Sequence, residues 1–290
     1  MAHASAGDGW VGQPLKRRED RRLLLGAGRY VDDIRPRDCA HVVLLRSSHA
    51  HARIATLDVG AAQRASGVIA VVTGGEVKHL GPMPVNRLIP DMRVPPHPII
   101  ADRLVHAAGT PVAAVVAEDV YTARDAAELI RVEYEPLPAL PTPEAAVADG
   151  APVLFPDIDG NRSFTRSIRT GDAARALASS ARVVSLRVAQ QRLAGVAMEP
   201  RSVLADFDPS TEELTLWVSC QAPFRIRAEV ARLLDLPESR VRVIAPDVGG
   251  GFGVKSGPYR EEVLLAWLAR RLARPVKWIA TRGEIGRAHV

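Results

Sequence analysis

The residues Asp247-Val-Gly-Gly-Gly-Phe-Gly-Val-Lys255 speak most directly of ligand chemistry in this chain. Closely spaced glycines leave backbone N–H groups uncovered and permit dihedrals that a side chain forbids, which is how a chain wraps phosphates or other oxygen-rich groups. Spacing excludes two familiar versions of such a loop. A dinucleotide fingerprint takes Gly249 and Gly251 as its first pair but meets Val254 where the third glycine must stand. A phosphate loop finds Lys255-Ser256 at its end, and again Val254 replaces its second glycine. Two readings stay open: a loop that cradles a cofactor anion, and a tight turn with no ligand. His49 and His51 alternate along the chain and would share a strand face, but two histidines without a third ligand do not make a metal site. Cys39 and Cys220 form neither a C-x-x-C pair nor a disulfide framework, which favours a reducing compartment.

The elements that must position the loop follow from periodicity. Val241–Ile244 reads as a strand leading into it. A helix follows it, with Tyr259, Val263, Trp267 and Leu268 on one side, Glu261 and Glu262 in its first turn, and Arg270 and Arg271 in its last. Pro275–Ala280 returns as a strand. Upstream, Pro223 suits the first turn of a helix whose apolar face is Ile226, Val230, Leu233 and Leu234. Further strands are expected at His41–Leu45, Gly67–Thr73, Pro111–Val116, Arg131–Glu135, Val183–Val188, Ser202–Phe207 and Leu214–Val218. Helices are expected at Ala123–Ile130, capped by Thr122, and near Asp172–Ala178. The run to Pro98 holds six prolines and reads as a long irregular connection. The Pro/Ala-rich stretch Pro136 to Pro156 reads as a linker between two compact units. Short mixed elements of this kind make an α+β fold.

The chain has 290 residues, 47% hydrophobic and 24% charged, which is enough to bury a substantial core. Its formal charge of +5 comes from scattered Lys and Arg with few aromatics between them, so a solvated basic surface is preferred to nucleic-acid binding. The apolar run after Arg21-Arg22 is only Leu23-Leu-Leu25, too short for a signal peptide, and no stretch reaches the length of a membrane span. The expected location is the cytoplasm.

Four stretches together resemble the molybdenum-binding large subunit of the xanthine dehydrogenase/aldehyde oxidase family, in the branch that includes carbon monoxide dehydrogenase-like subunits. They are Trp10-Val-Gly-Gln-Pro-Leu15 through Arg29-Tyr-Val-Asp-Asp33; Leu45-Arg-Ser-Ser-His-Ala-His-Ala-Arg-Ile54; Met198-Glu-Pro-Arg201; and Gln221-Ala-Pro-Phe224 through Lys255. The resemblance covers the N-terminal portion of such a subunit. It implies an arm over 1–19, a hammerhead-like α/β domain over 20–150, and over 160–290 the start of a molybdenum-cofactor-binding α+β domain. It also implies a molybdenum-molybdopterin cofactor, in the bacterial branch usually the cytosine dinucleotide form. Electrons would pass to iron–sulfur clusters and FAD on small and medium partner subunits.

Carried over by position, Gln221 matches the glutamine that hydrogen-bonds an oxygen ligand or the pterin. Phe252 and Gly253 match the loop that approaches the metal's oxygen ligands, and Gly249, Gly250 and Gly251 match the residues that permit that approach. Glu199 and Arg201 match a signature expected to form a salt bridge or buried network. Lys255 is read as a phosphate partner or an ordinary helix-start lysine. Cys220 stands where relatives commonly carry a small hydroxyl residue. The family's general-base glutamate has no counterpart here, so no catalytic residue and no metal-ligating side chain is expected. The chain then reads as one piece of a split subunit or a truncated product, inactive alone and completed by the rest of the large subunit. Its reaction would be hydroxylation of an aldehyde, N-heterocycle or similar carbon with oxygen from water, or oxidation of carbon monoxide. A non-catalytic assembly or cofactor-handling protein and a nucleotide-binding domain are the alternatives.

Overall fold

The computed structural model describes residues 11–85, 87, 89–191 and 193–284. Trp10 and the first half of the arm, and the final residues 285–290, lie outside them. The architecture is mixed α and β, with a seven-stranded sheet and a three-stranded sheet. The strands are β1 (Ala40–Arg46), β2 (Ala52–Asp58), β3 (Val68–Thr73), β4 (Leu104–Val105), β5 (Pro111–Ala117), β6 (Arg131–Pro136), β7 (Ser202–Asp208), β8 (Glu213–Val218), β9 (Val241–Ile244) and β10 (Val276–Ile279). The longer helices are α1 (Val120–Glu128), α2 (Pro223–Leu233) and α3 (Arg260–Leu272).

The large sheet has the order β3-β5-β1-β10-β7-β8-β9. Its β5 is a run of small and β-branched residues, buried at all seven positions because both its faces are covered. On one face α1 lays Ala123, Ala126 and Ala127 against Ala113, Val115 and Ala117. The main core lies elsewhere, where Val263, Leu264, Leu265 and Leu268 of α3 and Ile226 and Val230 of α2 meet Val203, Ala205, Leu214 and Leu216. The small sheet, β4-β2-β6, is antiparallel and lies wholly within the first half of the chain.

The sequence predicts two compact units, yet one sheet runs through both. β10 pairs parallel to β1 on one side and antiparallel to β7 on the other, so the last described strand sits at the centre. The Pro-rich connection is also fastened, with Arg93 N donating to the Ser163 carbonyl at 3.0 Å. Pairing across more than two hundred residues leaves no mark in local periodicity, which is why the sequence suggests a separation.

Three local differences have physical causes. The first helix begins at Val120, because Asp119 accepts from the N–H groups of Tyr121 and Thr122 and takes the Thr122 hydroxyl as well, displacing Thr122 from the capping role. Val183–Val188 has strand-like alternation but no ladder partner among the described residues, and Val184 is 90% exposed. The predicted strand is therefore an open segment. Truncation of a larger domain would be expected to uncover Trp267, Leu268, Trp278 and Ile279; Leu268 and Trp278 are buried because β10 is internal, and Trp267 and Ile279 are half-buried.

Candidate functional site

The glycine run connects β9 to α3, and both of its ends are tied to groups outside it. Asp247 enters first. Its carboxylate takes a guanidinium N–H of Arg22 at 2.7 Å and the Arg29 N–H at 2.7 Å. The hydrogen bond from Arg22 holds the Asp247 carboxyl down at about 2. Gly249 comes next, and its N–H donates to Glu199 Oε2 at 2.8 Å while its carbonyl accepts from the Glu199 N–H at 3.2 Å. At the far end Gly253 N–H donates to Gln221 Oε1 at 3.0 Å, and Gln221 N–H donates to the Lys255 carbonyl at 2.8 Å. The Tyr259 hydroxyl closes the turn on the Val254 carbonyl at 2.6 Å.

Between these anchors the backbone is left open. The N–H groups of Gly250, Gly251 and Phe252 donate to nothing among the described residues. Gly250, Phe252 and Gly253 have φ of +99°, +49° and +83°, and backbone turns with left-handed residues can aim neighbouring N–H groups at a shared anion. A non-glycine residue at φ +49° is strained, and Phe252 is also 74% exposed. Gln221 uses its amide oxygen on the loop, which leaves both Nε2 hydrogens without a partner among the described residues, and its side chain lies against Gly251.

The glycines are needed for space as much as for dihedrals. A Cβ on Gly249 would lie 2.5 Å from the Glu199 Cβ, and one on Gly251 would lie 2.4 Å from the Gln221 Cδ. Gly251 itself has no left-handed φ, so its requirement is close approach and not backbone conformation. The structure thus brings together Gln221, Gly249, Gly250, Gly251, Phe252 and Gly253, with an open polar face that fits an oxygen-rich ligand.

Lys255 is not a helix-start lysine, because α3 begins only at Arg260, and its ammonium is turned to protein partners. It is 2% exposed, and its Nζ donates to the Glu199 carbonyl at 2.9 Å, Glu199 Oε2 at 3.1 Å and Ser219 Oγ at 2.6 Å. Burial holds its pKa below the ordinary lysine value against the pull of Glu199. Ser219 in turn donates to Glu199 Oε2 at 2.6 Å. Glu199 therefore clasps both ends of the loop from beneath. The sequence offers no sign of the Ser219 contribution; a serine flanking a strand is too common a residue to single out. Cys220 is buried under the same region, and desolvation pushes its thiol up to about 11, so it is a protonated packing residue.

Arg201 belongs to a second buried network. It grips Glu261 with two bonds, 2.9 and 3.0 Å, and Arg46 adds a third at 2.8 Å. Burial alone would raise the Glu261 carboxyl, but the two guanidiniums outweigh it and hold it well below the ordinary range. Burial would lower Arg201, and Glu261 reverses that too. The neighbouring Glu262 accepts from the Tyr259 N–H at 2.7 Å, and burial pushes it up to about 7. His49 lies against the Tyr134 ring, and His51 meets the Pro138 carbonyl and stacks on His106, all remote in sequence from the loop. Among the described residues no group of three or more His, Cys, Asp or Glu could hold a metal ion, and no helix is long and apolar enough to cross a membrane.

Comparison with known proteins gives the site a context. The family "Molybdopterin cofactor-binding domain" matches residues 155–288, and "Aldehyde oxidase and xanthine dehydrogenase, a/b hammerhead domain" matches residues 25–138. The chain is 40% identical to the 6-hydroxypseudooxynicotine dehydrogenase complex subunit gamma of Paenarthrobacter nicotinovorans, over 95% of this chain and 35% of that protein. It is 38% identical to the carbon monoxide dehydrogenase large chain of Afipia carboxidovorans, over 94% of this chain and 35% of that protein. The crystal structure of quinoline 2-oxidoreductase from Pseudomonas putida 86 superimposes with a TM-score of 0.88 at 39% identity, covering 93% of this chain and 34% of that one. The chain thus spans about a third of the length of the curated relatives it matches.

Proposed function

The chain belongs to the xanthine dehydrogenase/aldehyde oxidase family of molybdopterin-binding subunits, and on that premise we propose that its glycine loop and Gln221 hold the oxygen-rich face of a molybdenum-molybdopterin cofactor. The observation that carries this reading is the set of three consecutive unused N–H groups, Gly250 to Phe252, beside the free Gln221 amide hydrogens. When bound, that group supplies the redox metal at which a carbon substrate is oxidised. This chain's residues donate hydrogen bonds and exclude bulk from the approach. Gln221 orients an oxygen through Nε2 while its Oε1 holds Gly253. Gly249 and Gly251 keep the contact free of side chains, and Phe252 presents an exposed ring at its rim.

The unit over residues 20–150 is assigned as the hammerhead domain and that over 160–290 as part of the cofactor-binding domain. The activity is hydroxylation of an aldehyde, N-heterocycle or similar carbon with oxygen from water, or oxidation of carbon monoxide. It is exercised with the remainder of a large subunit and with iron–sulfur and FAD-bearing partners. The cytosine dinucleotide form of the pterin is the expected one. Support comes from relatives named for nicotine-type, quinoline and carbon monoxide oxidation.

The test is to complete the subunit with the C-terminal remainder of a relative and measure molybdenum, pterin and dye-linked turnover. Gly251→Val should lose metal and pterin. Gln221→Ala should keep most of its metal and lose rate, since it removes one polar contact worth about 1–3 kcal/mol. Full occupancy with normal turnover in Gly251→Val would overturn the assignment.

A further inference from the structure

A narrow polar crevice of about 60 Å³ lies where the first turn of α3 meets β1 and the 107–111 turn, and three guanidiniums line it: Arg46, Arg201 and Arg260. Their counter-charges are fully committed. Glu261 Oε1 serves Arg46 and Arg201, and its Oε2 serves Arg201 again. Glu284 gives Oε1 to Arg46 at 2.6 Å and Oε2 to the N–H and hydroxyl of Thr281. Arg260 makes no ion pair or hydrogen bond among the described residues, although it is partly buried. Burial, with Arg46 and Arg201 close by, lowers its pKa in spite of Glu261. Arg201 Nε is buried and has no partner either.

Unpaired buried cations and donors are costly, and the positive end of a thirteen-residue helix adds to the same field. Arg260 thus has no carboxylate bonded to it, and Glu262, the other carboxylate acting on Arg201, is pushed up to about 7 by burial. A planar carboxylate matches a guanidinium edge with two parallel bonds. The volume admits a ligand of a few heavy atoms and no more.

We propose that this crevice is a binding site for a small monovalent carboxylate, of formate to acetate size, held by Arg260 and the unused edge of Arg201. None of its lining residues is Gln221 or one of Gly249–Gly253, so the site is separate from the proposed cofactor loop. A carboxylate bound there ties the α3 end of the loop region to β1.

The experiment titrates the purified chain with sodium formate, acetate or benzoate, exchanged against sodium chloride at constant ionic strength, and follows thermal unfolding. Tm should climb by roughly 2–3 °C for each tenfold rise in formate above its dissociation constant. Acetate should act similarly and benzoate should not. Line broadening of ¹³C-formate reports the same binding without unfolding. Arg260→Gln should abolish both responses. Its own Tm without formate should equal or exceed that of the parent, because the charge it removes has no partner. Formate responses shared by Arg260→Gln, or a fall in Tm on making that substitution in chloride alone, would overturn the proposal.

Discussion

Glu199 and Lys255 form the clasp beneath the glycine loop, and a double-mutant cycle should expose it. Lys255 is almost wholly buried, and its counter-ion is a single carboxylate oxygen at 3.1 Å. That oxygen also takes the Gly249 N–H and the Ser219 hydroxyl, while Glu199 Oε1 is buried without a partner. Lys255→Met strands the carboxylate, and Glu199→Gln strands the ammonium. Each single change is expected to cost about 3 kcal/mol, at the low end for a broken buried pair because the Glu199 carbonyl and Ser219 still hold Lys255 in the second case. The double variant replaces a charged pair with a neutral one that keeps an oxygen for Gly249 and Ser219. Its cost should fall short of the sum by roughly 2–3 kcal/mol. Urea unfolding monitored by intrinsic fluorescence of the four tryptophans, Trp278 among them buried, measures all four corners. The coupling should persist in high salt, since burial limits screening. Amide exchange at Gly249 should accelerate in Glu199→Gln. Additive costs, or single effects below about 1 kcal/mol, would refute the clasp.

Glu262 gives a pH signature. Its folded pKa of about 7 lies above the ordinary 4.5, so the native state binds more protons between these values and stability falls as pH rises through that window. Glu262→Gln should remove this limb, flattening stability from pH 4.5 to 7 by up to about 3 kcal/mol relative to the parent in urea titrations at stepped pH. Gly251→Ala places a Cβ against the Gln221 amide. It should release the Gly253–Gln221 bond, seen as faster exchange at Gly253, at a stability cost of about 1 kcal/mol. Val184→Asp with Leu186→Asp should reduce hydrophobic-dye binding and self-association in light scattering with little change in Tm, because both side chains are more than 80% exposed.

What could be read from the sequence was the local and the short-range. β1, β3, β5, β7, β8 and β10 each carry their apolar pattern within a few residues, and the glycine run announces open backbone within nine. Gln221 emerged only through family resemblance, since a lone glutamine has no spacing to recognise. Lys255 was misread because its partner Glu199 stands 56 residues away, and nothing local marks a lysine that will be buried. Val183–Val188 was misread for the converse reason: alternation licenses a strand, but only a neighbour with free backbone groups makes one. At Gly251 the expected need for close approach is met by a protein group, the Gln221 side chain, which the sequence does not place there. The arginine crevice was invisible because Arg46, Arg201 and Arg260 meet only after β1, β7 and α3 are assembled.

The central place of β10 sets a schedule for the ribosome. β1 has one edge filled once β5 is made, while the other waits for Val276, 236 positions later in the register Ala40↔Val276. At roughly 5–20 residues per second that edge stays open for about 12–50 s of synthesis. β7 waits too, since its second neighbour is also β10. The halves can form hairpins early, but neither closes its sheet before the other has been made. A nascent chain halted after β7 but before β10 presents two unpaired strand edges at once, and those edges are what a chaperone or an aggregate would find first.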